Sequence, residues 1–203
     1  MIESATVLPD WKTDEARLES SYRRLVMARL PVNLYSARAQ VQRRAATLLH
    51  GMDEKSGSWE ELDGRHLADD ARGDRTSLLL GGAAGGVALP TSGKQGLLSA
   101  VGNGTLFLTN VEKLSLAAQR ILHRLMEAGR YTPVGDPYPR PFNCRIIVGS
   151  YRPLFELARS LMVRCELADV LGYISLRAED VVRVLAEKEF FKSHPGGLAA
   201  LSL

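Results

Sequence analysis

Neither a leader nor a membrane span is expected of this chain. Its first residues, Met1-Ile2-Glu3-Ser4-Ala5-Thr6, carry no basic patch followed by an apolar stretch, and nothing later approaches the ~18 uninterrupted apolar residues of a spanning helix. A cytoplasmic protein is expected. Cysteine is scarce: Cys144 and Cys165 have no metal-ligand spacing and lie in apolar sequence, so two reduced core thiols are expected rather than a disulfide. An excess of one charge is lacking too, since 26 basic against 23 acidic residues leave only +3. Arg23-Arg24 and Arg43-Arg44 fall in helical patterns where solvated charge is the default, so nucleic-acid binding is not indicated. His50, His66, His123 and His194 share no metal-ligand spacing, and order alone supports no Ser-His-Asp grouping. No metal and no cofactor are expected.

What is present is an ordinary globular composition, 45% hydrophobic and 24% charged over 203 residues, enough for one domain with a small appendage. Residues 14–29 read as a helix capped by Thr13, with Leu18, Tyr22, Leu25 and Val26 on one stripe and Pro31 as its stop. Val32 to Tyr35 is a short apolar step before a helix over 38–50. Trp59 to Leu62 reads as a second strand. Eight glycines between Gly81 and Gly104 resist regular structure, apart from a short strand near Leu97-Leu98. Leu106-Phe107-Leu108 has the character of a buried parallel strand, and 115–128 is an amphipathic helix with Leu116, Ile121, Leu122 and Leu125 apolar and Gly129 ending it. Four prolines in 130–141 exclude a central strand and favour a hairpin or turn there. Arg145 to Val148 is the next strand, 153–163 a helix, Val170 to Leu176 a last strand, and Glu179 to Phe191 a closing helix. Strands alternating with helices imply an open, mostly parallel α/β sheet with flanking helices.

One stretch carries more than fold. Residues 101–114 read Val-Gly-Asn-Gly-Thr-Leu-Phe-Leu-Thr-Asn-Val-Glu-Lys-Leu, like an ATPase Walker B strand whose two terminal acids are replaced by Thr109 and Asn110. Neither side chain can bind Mg²⁺ as a carboxylate does or pull a proton from water. From Gly104-Thr105-Leu106-Phe107-Leu108 the pattern runs through Gln119, Leu122, Arg124, Gly129, Val134 and Gly135 to Arg145-Ile146-Ile147 and Glu179-Asp180-Val181. Over about residues 31–185 the chain resembles the AAA+ domain of sigma-54-dependent transcription activators, the bacterial enhancer-binding proteins. The resemblance implies an AAA+, P-loop NTPase-like core.

It also implies working parts that this sequence does not keep. The family's phosphate loop, glycine-rich and ending Gly-Lys, aligns with Tyr35-Ser36-Ala37-Arg38-Ala39-Gln40-Val41-Gln42, where no glycine remains and Gln42 stands in place of lysine. Ser36, Ala37, Arg38 and Gln42 are the degenerate Walker A positions, and Arg38 and Arg43 are the side chains left that could touch an anion. The sensor position, Thr-Asn in the family, is Ser150-Tyr151, followed by a retained Arg152. The two arginine-finger positions align with Leu161 and Leu167, whose side chains cannot stabilise a transferring phosphoryl group. The Gly-Ala-Phe-Thr-Gly-Ala loop that touches the sigma factor falls near Gly85 to Thr91 and has no Phe-Thr pair. A second Gly-Lys, Gly93-Lys94, has neither a strand before it nor a clear helix after it.

The expected organisation is a helix over 1–30 packed on the core, a degenerate AAA+ core over 31–192 and a tail over 193–203, with the helical lid largely absent. The expected function is that of a catalytically inactive regulatory or protein-interaction module in transcription control. The alternative is a nucleotide- or anion-binding regulator without hydrolysis. The expected partner is a protein, either an active homologue or a component of the transcription or secretion machinery. With no helix-turn-helix in the sequence, direct DNA binding is not expected.

Overall fold

Leu106, Phe107 and Leu108 form the middle of β3 (Thr105–Thr109), and all five of its residues are buried. A strand with no solvated face needs an apolar layer on each side. A computed structural model describes residues 11–53, 57–68, 79–80, 96–133 and 137–193, with side chains from residue 15 to 186. It places β3 in a parallel sheet with β1 (Val32–Tyr35), β2 (Trp59–Asp63), β6 (Arg145–Ser150) and β7 (Ser175–Arg177), in the order β2-β3-β6-β1-β7. The register sets Phe107 beside Ile147 and Val32 beside Ile147 from the other flank.

Because side chains alternate across a strand, the sheet feeds two separate cores. Val32, Leu34, Phe107 and Ile147 pack with Tyr22 and Val26 of α1 (Trp11–Met27), Ala45 and Leu49 of α2 (Ala39–Gly51), and Val181 and Leu185 of α7 (Ala178–Ser193). Leu106, Leu108, Ile146 and Val148 pack with Leu98 of α3 (Leu97–Val101), Leu122 of α4 (Leu116–Ala128), Leu157 of α5 (Leu154–Arg159) and Leu167 of α6 (Cys165–Leu171). The proline-rich segment after α4 is the expected hairpin, β4 (Arg130–Tyr131) against β5 (Arg140–Pro141). The open parallel sheet with helices on both faces is thus the expected fold.

Several local expectations need correction. Thr13 does not cap α1, because the helix already includes Trp11. Leu97 and Leu98 begin a helix, not a strand; with Val101 they bury one helical face, at a spacing that two adjacent leucines alone do not reveal. The strand drawn over Val170 to Leu176 is in fact the end of α6 followed by a three-residue β7: Leu167, Ala168 and Leu171 are buried at i, i+1 and i+4. The helix drawn over 153–163 stops at Arg159, and Leu161 follows at φ 60.

In α4, Leu116 is 55% exposed and Gln119 is buried in its stead. The amide of Gln119 donates to Leu114 O at 3.1 Å and accepts from Arg164 N at 2.8 Å, so it ties α4 to the turn before α6. Ser115 caps the helix by accepting from Ala118 N, and Gly129 ends it at φ 60. The expectation of two core thiols also fails by half: Cys144 is buried, but Cys165 is exposed. The expected loop site near Gly85 to Thr91, Gly93-Lys94, His194 and the tail 194–203 lie outside the described residues.

Candidate functional site at the switch point of the sheet

From β1 the chain crosses to β2 on one side of the sheet, and from β6 it crosses over β1 to β7 on the other. The carboxyl ends of β1 and β6 are therefore the topological switch point, where open α/β sheets bind ligands. Ser36, Ala37, Arg38, Gln42 and Ser150 all meet there.

Only Ser36, Ala37 and Arg38 separate β1 from α2. The helix begins at Ala39, so Gln42 is already one turn inside it. A phosphate-cradling loop needs several consecutive amides turned towards one anion. Here Ser36 N donates to Ser150 O at 3.0 Å, and Arg38 N donates to the hydroxyl of Ser36 at 3.0 Å. The buried amide of Gln42 spans what remains, donating to Ser36 O at 2.7 Å and to Ser150 O at 2.8 Å. Gly149 makes room for it, since a methyl group there would lie 2.5 Å from Gln42 Oε1. These residues do not fit a nucleotide's phosphates.

An anion is nevertheless held at the mouth of this turn. Glu179, at the start of α7, accepts from Ser36 Oγ at 2.7 Å, with the guanidinium of Arg38 at 3.4 Å and that of Arg177 at 3.7 Å. The short hydroxyl bond dominates, because both arginines are mostly exposed and such pairs contribute little. The hydrogen bond from Ser36, helped by its own backbone amide and Arg38 and opposed by partial burial, holds the Glu179 carboxyl below its ordinary range. Arg43 is not part of this cluster; it pairs at 2.8 Å with Glu61 on β2.

Beside it, Ser150 is fixed on all sides. Its hydroxyl donates to Arg152 O at 2.6 Å and accepts from Asn33 Nδ2 at 2.7 Å, while Asn33 Oδ1 accepts from Ser175 Oγ and Leu154 N. Asn33 thus joins β1, β6, α5 and the start of β7. The Tyr151 hydroxyl donates to Met162 Sδ at 3.0 Å, and the Arg152 guanidinium lies 5.8 Å from the Tyr151 ring. Of the finger positions, Leu167 is buried in the core whereas Leu161 is 91% exposed.

At the end of β3, Thr109 is buried and Asn110 is left-handed, φ 50 and ψ 45. A carboxylate does stand here, on the neighbouring strand: Asp63 is in register with Thr109, and Asn110 Nδ2 donates to it at 3.0 Å. Burial pushes the Asp63 carboxyl up, but hydrogen bonds from Arg65 and Asn110 outweigh it and hold it at about 2. With Arg65 bidentate upon it, this acid is committed as a structural partner. Among the described residues no group of three or more histidines, cysteines and acids is placed to hold a metal ion.

Asn33, Asp63, Gly149 and Glu179 were not singled out as site residues by sequence. Asn33 had a signal, a polar residue inside an apolar strand. The other three act through contacts between distant segments.

Residues 73–177 match the model of the sigma-54 interaction domain. That is just over half of the chain, and the chain belongs to this family. The match begins beyond the β1–α2 turn. Over 91 residues, 45% of this chain and 18% of the relative, it is 36% identical to the nitric oxide reductase transcription regulator NorR2 of Cupriavidus necator. Over 101 residues, 50% of this chain and 21% of the relative, it is 32% identical to the DNA-binding transcriptional regulator NtrC of Azospirillum brasilense. The chain therefore spans about a fifth of the length of these relatives. NtrX from Brucella abortus, solved in complex with ADP, superposes with a TM-score of 0.65 at 16% identity, covering 92% of this chain and 41% of that one, a likeness of fold. Among the described residues no helix is long and apolar enough to cross a membrane.

Proposed function

We propose that this chain is a catalytically inactive sigma-54 interaction domain, a pseudo-ATPase that serves as a regulatory or protein-interaction module in transcription control. The observation that carries the reading is the side-chain amide of Gln42, hydrogen-bonded across the three-residue turn where the family's lysine and phosphates would meet. Support also comes from the end of β3, where Thr109 and Asn110 offer no metal ligand of the Walker B kind. Leu161 and Leu167 supply no finger, and one missing arginine finger alone can cost about 10³-fold or more in rate. The family and the regulators it includes point to a protein partner in transcription: sigma-54, RNA polymerase or an active homologue.

Titration with a fluorescent ATP analogue in the presence of Mg²⁺, together with a phosphate-release assay, tests the reading. No saturable binding and no turnover are expected. Mg²⁺-dependent turnover that co-elutes with the protein through successive columns overturns it.

A further inference from the structure

Away from the switch point, the outer flank of α4, the strand β4 and Leu80 enclose an open cleft of about 290 Å³. Its floor is apolar, formed by Leu80, Ile121, Leu125 and Tyr131, and Arg124 and Arg130 stand on its rim. Among the described residues no acidic one lines it. Among the described residues, neither rim arginine has a carboxylate within ion-pair distance, and neither does Arg120, one turn before Arg124 on the same helix. The single acid of α4, Glu127, lies 3.5 Å from His123. Like charges one turn apart on a helix repel when nothing offsets them. The cleft therefore presents an apolar floor beneath unneutralised positive charge.

We infer that this cleft is a docking site for a protein segment in which acidic residues alternate with leucine or an aromatic residue. The apolar side chain would cover the floor, and the flanking carboxylates would meet Arg124 and Arg130, whose planar forks suit them. Charge complementarity selects this occupant. Against nucleic acid, the described lining residues offer one aromatic ring, Tyr131, where strand binding uses successive stacking platforms. The inference rests on the reading of this chain as an interaction module and names the chemistry of its partner.

The test uses fluorescence polarisation of the full chain with a fluorescein-labelled peptide alternating glutamate with leucine and phenylalanine. Saturable binding that weakens with added salt is expected. Binding should fall about tenfold or more in R124E/R130E, both positions being exposed. The same variant should gain affinity for the peptide with lysine in place of glutamate, a readout that mere unfolding cannot produce. Ile121→Ser should weaken the parent interaction while leaving its salt dependence in place. The site is overturned by no saturable binding, by an unchanged Kd in R124E/R130E, by equal binding of a glutamate-serine peptide, or by tighter binding of a single-stranded 20-mer. Failure of the peptide with a silent ATP assay removes the cleft alone; ATP turnover removes the pseudo-ATPase reading whatever the peptide does.

Discussion

Replacing Gln42 by alanine removes two buried hydrogen bonds that close the β1–α2 turn onto the end of β6. At about 0.5–1.5 kcal/mol net for each bond, with about 1 kcal/mol more for the lost side-chain packing, the cost is about 2–4 kcal/mol. For a domain of this size that lowers Tm by about 5–15 °C. Gly149→Ala reaches the same bonds from the other side. Its methyl group would lie 2.5 Å from Gln42 Oε1, so the amide must swing away and forfeit its partners, at about 1–3 kcal/mol. Once residue 42 is alanine the obstruction is gone, and the double variant should be no less stable than Gln42→Ala. The two changes should therefore couple by about 1–3 kcal/mol in a double-mutant cycle followed by urea unfolding and circular dichroism. Additive costs within about 0.5 kcal/mol, or a loss below about 0.5 kcal/mol in Gln42→Ala, would refute the view that this amide pins the turn.

Three further outcomes follow from the same geometry. Thr109→Asp with Asn110→Glu places two carboxylates beside Asp63 and removes the donor from Asn110, so it should destabilise by about 1–3 kcal/mol without producing ATP hydrolysis; a double variant as stable as the parent that binds Mg²⁺-ATP refutes this. Burial lowers the pKa of His50, although Asp53 opposes the shift, so its proton is bound more readily in the unfolded chain; stability should fall as pH drops below 6.5, less steeply in His50→Gln, and Trp59, 5.2 Å from the imidazole ring, should report the change by fluorescence. Equal pH slopes for the two proteins would dismiss that account. In the native state a disulfide-exchange reagent should titrate Cys165 alone, because burial pushes the Cys144 thiol up to about 12, and both should react in urea; two fast equivalents without denaturant would be wrong for this core.

The sheet was legible where residues had one dominant reason to be where they are. Leu106-Phe107-Leu108 could only be buried on both faces, and the prolines from Pro133 to Pro141 could only be a turn or an edge. The α3 and α6 segments were misread because a helix of five to seven residues shows too little of its period, and its paired leucines or valines look the same as a strand. At the site, Ser36, Gln42 and Ser150 could be placed by their alignment to the family. Their mutual hydrogen bonds could not, because Gln42 and Ser150 are 108 residues apart. Asp63 and Glu179 escaped for the same reason: each matters through a partner that folding brings to it. Cys165 was misplaced although Arg164 and Glu166 flank it; as the first residue of its helix it is exposed, like Glu166.

The shortness of the β1–α2 turn bears on how such a protein would be controlled. The amides of Ser36 and Arg38 are committed to its own chain, and the side chain of Gln42 is sewn across it. A ligand moves a conformational equilibrium only by preferring one of two populated arrangements, and about 5.5 kcal/mol of preference is needed to carry a population from 1:99 to 99:1. A turn closed on itself in the arrangement seen here offers a nucleotide's phosphates no open cradle to select. Under the proposed function, output would then follow the number of copies in the cell rather than its energy charge, and the natural points of control would be synthesis and turnover.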